Sequence, residues 1–247
     1  SGAPRPVGGY LDAIDAFDPL LFRIAPVDAA DLDPQLRLLL HTVWECLENA
    51  GHSPSSVNAA GRVGVFLAAM WNDHQHTGAD GWRAGAPATV SATASDAANR
   101  ISHAFDFRGP SVAVDTSCSS SLTALHLAVE SLRRGECDAA VVAAANLVSH
   151  PYHVALLDDL GLLARERPDG AFDATAVGWS PGEGIVALLL RPRAVADRSG
   201  ETVHALVEAS RIGHVGGSGR FGTPDASALS ASMTALLAGA GLTADGI

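Results

Sequence analysis

An α/β fold is predicted by three features of this 247-residue sequence. Leu36, Leu39, Leu40, Val43 and Leu47 recur at helical spacing. Short apolar runs such as Val63 to Leu67 read as buried strands. A strand, a helix and a second strand follow one another within about 35 residues between Ser111 and Ala145, the pattern of a parallel βαβ unit.

The elements follow in order. Asp33 is a helix N-cap, Pro34 suits the first helical position, and Gly51 supplies the stop behind the leucine stripe. Arg62 to Met70 reads as a buried strand, residues 71–90 as a loop rich in Asn, Asp, Gly and Pro, and Ser95 to Phe105 as a short helix. Ser111 to Val114 is a strand and Ser119 to Arg134 a helix with Leu122, Leu125, Val129 and Leu132 on one face. Gly135 ends that helix, and Asp138 to Ala145 is the next buried strand. Ile185 to Arg191 and Val203 to Arg211 read as neighbouring strands, and Ser227 to Gly239 as a closing helix. No repeat, low-complexity tract or linker divides residues 1–247.

Composition narrows the function classes. Hydrophobic residues make up 47% and charged residues 17%, which suits a packed core rather than disorder. A net charge of −11 argues against a nucleic-acid partner, whose binders carry a basic face. No apolar run approaches the roughly 20 residues that cross a bilayer, so no membrane role is expected. The three cysteines, Cys46, Cys118 and Cys137, are odd in number and widely spaced, which points to a reducing cytoplasm.

Of these, Cys118 sits between a strand and the first turn of a helix, in Asp115-Thr116-Ser117-Cys118-Ser119-Ser120-Ser121. Free amides and the dipole at a helix N-terminus favour a thiolate there, and the same amides can steady an oxyanion. Ser119, Ser120 and Ser121 are natural caps for those amides. From placement alone, an inert thiol and a nucleophile both remain open.

The segment Val114-Asp115-Thr116-Ser117-Cys118-Ser119-Ser120-Ser121-Leu122 resembles the ketosynthase nucleophile motif VDTACSSSL. Leu32-Asp33-Pro34-Gln35 through Trp44-Glu45 and Glu48-Asn49-Ala50-Gly51 resembles that family's MDPQQRLLLE…WEALEDAG helix. Asn99-Arg100-Ile101-Ser102, Arg108-Gly109-Pro110-Ser111, Phe172-Asp173 and Gly182-Glu183-Gly184 match its NRIS, RGPS, FD and GEG stretches. Asp138 to Asn146 resembles the strand ending in GGVN, with Ala144-Ala145 in place of the glycines. The order is that of the family along nearly all of the chain.

This resemblance implies a thiolase-like layered αβαβα fold, a homodimer and polyketide chain elongation by decarboxylative Claisen condensation. Cys118 would take an acyl chain from the phosphopantetheine arm of an acyl carrier protein, other polyketide synthase domains would be partners, and Ser117 would line the acyl-binding site. Pro181 replaces the arginine of the family's GYVRGEG, as in ketosynthases of assembly lines served by free-standing acyltransferases. The family's first strand has no counterpart before Gly8, and its two downstream histidines, one in HGTGT, have none up to Ile247. The expectation is a partial domain, trimmed at both ends, that does not complete condensation unaided. A non-elongating domain that transfers or gates acyl chains, a chain-length subunit and a coenzyme A-dependent condensing enzyme are the alternatives. Cys118 speaks against the chain-length subunit, and the CSSSL-associated motifs against the coenzyme A enzyme.

Other groups carry less. His126 lies eight residues beyond Cys118, roughly 12 Å along a helix, too far to act on it. His150 and His153 read as loop or shell residues, and His74 and His76 as a solvated loop rather than a metal site. Gly178-Trp179-Ser180-Pro181-Gly182 fits GxSxG, but an apolar strand rather than a helix follows the serine. Gly213 to Gly217 and Arg165 to Gly170 depart from the family's NHGG and SPDGRCK stretches. Because carrier proteins are acidic, docking on this acidic chain would need a local basic patch, for which Arg133-Arg134 and Arg165 with Arg167 are candidates.

Overall fold

The structure, a computed structural model, describes residues 6–88, 93–164, 172–217 and 222–246. It divides into two compact units, residues 1–192 and 193–247. Thirteen α-helices and β-strands are described: α1 (Pro26–Ala30), α2 (Pro34–Asn49), α3 (Pro54–Ala59), β1 (Val63–Ala68), α4 (Asp73–Arg83), α5 (Ala94–Ala104), β2 (Ser111–Val114), α6 (Ser120–Arg133), β3 (Ala139–Asn146), α7 (Pro151–Asp159), β4 (Gly184–Leu190), α8 (Arg193–Ser199) and α9 (Ala226–Ala240).

The first unit is built on one sheet of order β2-β1-β3-β4. β1 runs parallel to both β2 and β3, while β4 is antiparallel to β3. The β2–α6–β3 crossover expected from the sequence is present, but it passes over β1, which lies between the two strands it joins. β1 is buried along its whole length, as a central parallel strand covered on both faces must be.

On one face, Val63, Val65 and Leu67 of β1 and Val141 and Ala143 of β3 pack with Leu36, Leu39, Leu40, Val43 and Leu47 of α2 and Ile101 of α5. The α2 stripe is the one its spacing predicts. Asp33 accepts the Gln35 N–H at 2.8 Å, and Gly51 takes the left-handed φ of +76° beyond the helix end.

On the other face lies α6, where Val129 is buried and Leu125 and Leu132 pack against the core as expected, but Leu122 does not. Ser120, Thr123, Ala124, Ala128 and Ser131 are among the buried residues, while Leu122 is 70% exposed. Small side chains let the helix axis approach Phe66, Ala68, Ala140 and Val142 of the sheet closely, and that packing overrides the hydrophobicity of Leu122.

Two further expectations change. Within residues 71–90, expected as a loop, α4 forms, although 89–90 lie outside the described residues. Its polar sequence, with Gly78 and Gly81, has low helix propensity. Tertiary contacts at its first residue, Asp73, hold it instead. Residues 203–211, expected as a strand beside β4, carry no strand, and β4 is followed by α8. In the second unit, Asp225 caps α9 by accepting the Ser227 and Ala228 N–H groups, and Gly241 closes it at φ +68°.

Candidate active site

The carboxyl ends of parallel strands are where open α/β sheets present functional groups. β2 ends at Val114, and residues 115–119 form an exposed turn before α6 begins at Ser120. Asp115 Oδ1 accepts the Ser117 N–H at 3.0 Å, a side-chain-closed turn. Ser117 is held at φ +54°, in the left-handed region that a non-glycine residue enters only when its surroundings compel it. That reversal places Cys118 in an exposed position just ahead of the helix, one residue before the Ser119 N-cap, rather than within its first turn.

The serines act differently from the caps expected of them. The Ser119 side chain caps no helix amide; its Oγ donates to the Thr116 carbonyl at 2.8 Å and meets Thr116 Oγ1 at 3.0 Å. Ser120 Oγ accepts the Thr116 N–H at 2.8 Å and donates to the Ser117 carbonyl at 2.6 Å. Thr116 Oγ1 also meets Thr123 Oγ1 at 2.9 Å. The hydroxyls lock the turn to the helix and leave the Ser121 and Leu122 N–H groups without a hydrogen-bond acceptor among the described residues. Such amides suit a developing negative charge.

The other two thiols are placed otherwise. Burial pushes both Cys46 and Cys137 up from the ordinary thiol range, and Cys137 is further raised by Asp138 and Glu136 although Ser131 offers it a hydrogen bond. Cys118 alone is exposed.

The neighbouring strand ends form a polar rim. The Ala69 N–H bonds to the Val114 carbonyl at 3.3 Å, which ties the segment after β1 to the end of β2. Two residues on, Trp71 stacks on His153 with ring centroids 3.8 Å apart, and its carbonyl accepts from the Gln35 side chain at 2.9 Å. Asp73 Oδ2 accepts the Ser149 N–H at 2.9 Å and the His150 N–H at 3.2 Å, and it meets His153 Nδ1 at 3.0 Å. Glu183 accepts the Val148 N–H and the Leu11 N–H, each at 2.9 Å, while Asn146 donates to the Gly182 carbonyl at 2.7 Å. One carboxylate thus fastens the residues after β3 to the N-terminal segment.

None of the described histidines hydrogen-bonds to Cys118. His150, the N-cap of α7, accepts the Tyr152 N–H on Nδ1; its proton therefore sits on Nε2, 3.2 Å from Asp80, whose carboxyl that hydrogen bond holds below its usual range. His153 is buried in α7 rather than lying in a loop. His74 and His76 lie in α4, where His74 donates to the Asp31 carbonyl and His76 packs beside Tyr152. No group of three His, Cys, Asp or Glu suited to a metal occurs among the described residues.

Ser180 is followed by β4, not a helix, so the hydrolase elbow is not formed. Arg133 and Arg134 both pair with Glu130, at 2.9 and 3.8 Å, which neutralises part of the expected basic patch; Arg165 and Arg167 lie outside the described residues. The sequence places Cys118 and Ser117 at this turn but does not reveal the hydrogen bonds of Ser120, Asp73 and His153. Ser120 lay inside a matched motif, and the Asp73–His153 pair, 80 residues apart in the chain, had no local signal.

Comparison with known proteins places this arrangement. The sequence model of the beta-ketoacyl synthase N-terminal domain matches residues 2–196. The polyketide synthase ThaG of Burkholderia thailandensis is 39% identical over 235 residues, which are 95% of this chain and 4% of that protein. PksM of Bacillus subtilis is 40% identical over 215 residues, 85% of this chain and 5% of that one. Among solved structures, the oxazolomycin ketosynthase domain OzmH KS7 of Streptomyces albus superposes with a TM-score of 0.91 at 39% identity, covering 96% of this chain and 42% of that one. The chain therefore spans a small part of the curated relatives and under half of the solved ketosynthase. Its helix–sheet–helix layers are part of the thiolase-like αβαβα arrangement, and no described helix is long and apolar enough to cross a membrane. With Cys118 standing on the turn between β2 and α6 in a matched sequence, the chain belongs to the beta-ketoacyl synthase family, whose N-terminal domain its residues 2–196 match.

Proposed function

We propose that this chain is part of a ketosynthase that elongates polyketide chains, with Cys118 as the acyl-accepting nucleophile. The observation that carries the reading is the exposed thiol on a hydroxyl-locked turn at the head of α6. The Cys118 thiolate attacks the thioester that joins an acyl chain to the phosphopantetheine arm of an acyl carrier protein. The carrier thiolate leaves and takes a proton. A malonyl-type extender on a second carrier then loses CO2, and its carbanion attacks the Cys118 thioester. The β-ketoacyl product forms on the carrier and the Cys118 thiolate is released. Splitting the reaction in this way is covalent catalysis.

Ser117, beside the sulfur and exposed, lines the acyl-binding site in this reading. In this reading residues 1–247 belong to the ketosynthase domain, and condensation needs histidines for decarboxylation and oxyanion stabilisation besides Cys118. A second copy of the chain is the partner in a homodimer, supported by β2, a sheet-edge strand with one hydrogen-bonding side open. Other polyketide synthase domains are further partners, and the cytoplasm is the compartment. Pro181, standing where the family's motif has arginine, supports the subtype served by free-standing acyltransferases.

The test is to supply the full-length protein with an acyl thioester and malonyl-loaded carrier protein and to analyse the carrier-bound product. A β-ketoacyl carrier supports elongation. Transfer of the acyl chain without a β-keto product contradicts elongation and favours the non-elongating alternative.

A further inference from the structure

Two buried hydroxyls reach the turn that presents Cys118: Thr123 meets only the Thr116 side chain, whereas Ser120 bonds its backbone. Ser120 is 5% exposed, whereas residues 115–119 are all exposed. Its Oγ takes the Thr116 N–H at 2.8 Å and gives its own proton to the Ser117 carbonyl at 2.6 Å. The Ser120 N–H reaches the same carbonyl at 3.0 Å. Both backbone groups that the hydroxyl satisfies belong to the two residues before Cys118, and Ser120 itself is two residues after it. The hydroxyl therefore closes a ring around the sulfur-bearing residue.

That ring includes Ser117 at φ +54°, a conformation that costs about 1 kcal/mol or more and persists only where neighbours enforce it. Ser119 contributes a hydroxyl to the same turn, but it is exposed, so water can replace its bond to the Thr116 carbonyl. Water has little access to Ser120. Removing its hydroxyl leaves the Thr116 N–H unpaired and the Ser117 carbonyl with one donor fewer.

We infer that Ser120 is a positioning residue for Cys118: its hydroxyl fixes the left-handed turn that carries Cys118 just ahead of α6. The inference rests on the reading of Cys118 as the acyl acceptor and goes beyond it by assigning the group that holds the backbone bearing the thiol. Ser120 touches no reacting atom in this arrangement and acts through the backbone of Thr116 and Ser117.

The experiment compares the isosteric variants Ser120→Thr and Ser120→Val, which differ in the hydroxyl, with Ser131→Ala as a control for a buried hydroxyl on the same helix. In the full-length protein, the iodoacetamide alkylation rate of Cys118 is followed by peptide mass spectrometry over about pH 6 to 10, where thiols ionise. The expected result is a high-pH plateau rate about tenfold lower in Ser120→Val, near wild type in Ser120→Thr, and unchanged in Ser131→Ala even where its melting temperature falls. Equal plateau rates in the Thr and Val variants overturn the inference, as does equal slowing in Ser131→Ala. A wild-type Cys118 that reacts no faster than Cys46 at neutral pH overturns the nucleophile reading beneath it instead.

Discussion

His153 Nδ1 lies 3.0 Å from Asp73 Oδ2, with side-chain exposures of 2% and 3%. The same carboxylate oxygen receives the Ser149 and His150 N–H groups, so one buried acid joins the start of α4 to the segment entering α7. Removing an acceptor at such a site leaves buried donors unpaired, a loss greater than the net value of the bonds themselves. Asp73→Ala is expected to lower unfolding stability by about 3 kcal/mol in urea denaturation. A change under about 0.5 kcal/mol, the range of ordinary surface substitutions, would show that the pair does not brace these helices.

The three thiols should separate by reactivity. Burial raises Cys46 and Cys137, while Cys118 is exposed at a helix start. In the folded protein near neutral pH, Cys118 is expected to alkylate at least about tenfold faster than either. Peptide mass spectrometry after timed iodoacetamide treatment measures all three together. Comparable rates would contradict this ordering of the three thiols.

Ser117 tests the turn from the other side. At φ +54°, a β-branched residue is strained more than serine, whereas glycine is at ease. Ser117→Val is expected to lower stability by about 1–2 kcal/mol and to slow acyl loading; Ser117→Gly should fall within about 1 kcal/mol of wild type. Thermal denaturation of both variants gives the comparison. A Val variant as stable as the Gly variant would contradict the left-handed turn.

Asp33 gives a pH dependence of known sign. Its carboxyl is raised, chiefly by burial, although the Gln35 N–H opposes the shift. A carboxyl with a raised folded-state pKa binds its proton more tightly folded than unfolded. Its charge therefore opposes folding above that pKa, and the penalty fades as pH falls through it toward the ordinary carboxylate value of about 4. Asn caps helices as well as Asp does. Asp33→Asn should raise the melting temperature at pH 7, with the difference shrinking as pH falls toward about 4. A lower melting temperature at pH 7 that recovers in acid would reverse the assigned sign.

Much of this was legible in the chain, for identifiable reasons. α2 is specified locally by Asp33, Pro34, a leucine stripe and Gly51, and the structure repeats it almost residue for residue. β1, β2 and β3 were readable from short apolar runs, but their order was not, because apolar runs carry no information on which strand lies between two others. Of the expected α6 face, Val129, Leu125 and Leu132 pack as their spacing suggests, but Leu122 is exposed and the centre of the contact is made by Ser and Ala, which close packing on a sheet favours over Leu. α4 was missed because Asp73 stabilises it through partners some 76 to 80 residues away. At the site, the position of Cys118 followed from motif and strand–helix order. The Ser120 hydroxyl's role did not, since a serine run before a helix equally suggests amide caps.

The most direct measurement of the central claim is the mass of the tryptic peptide bearing Cys118 after the full-length protein meets an acyl-loaded carrier protein. The expected spectrum carries one added acyl group on that peptide, lost on hydroxylamine treatment and absent from Cys118→Ala. Acylation that persists in Cys118→Ala, or that resides on another residue in the wild type, would contradict Cys118 as the acceptor.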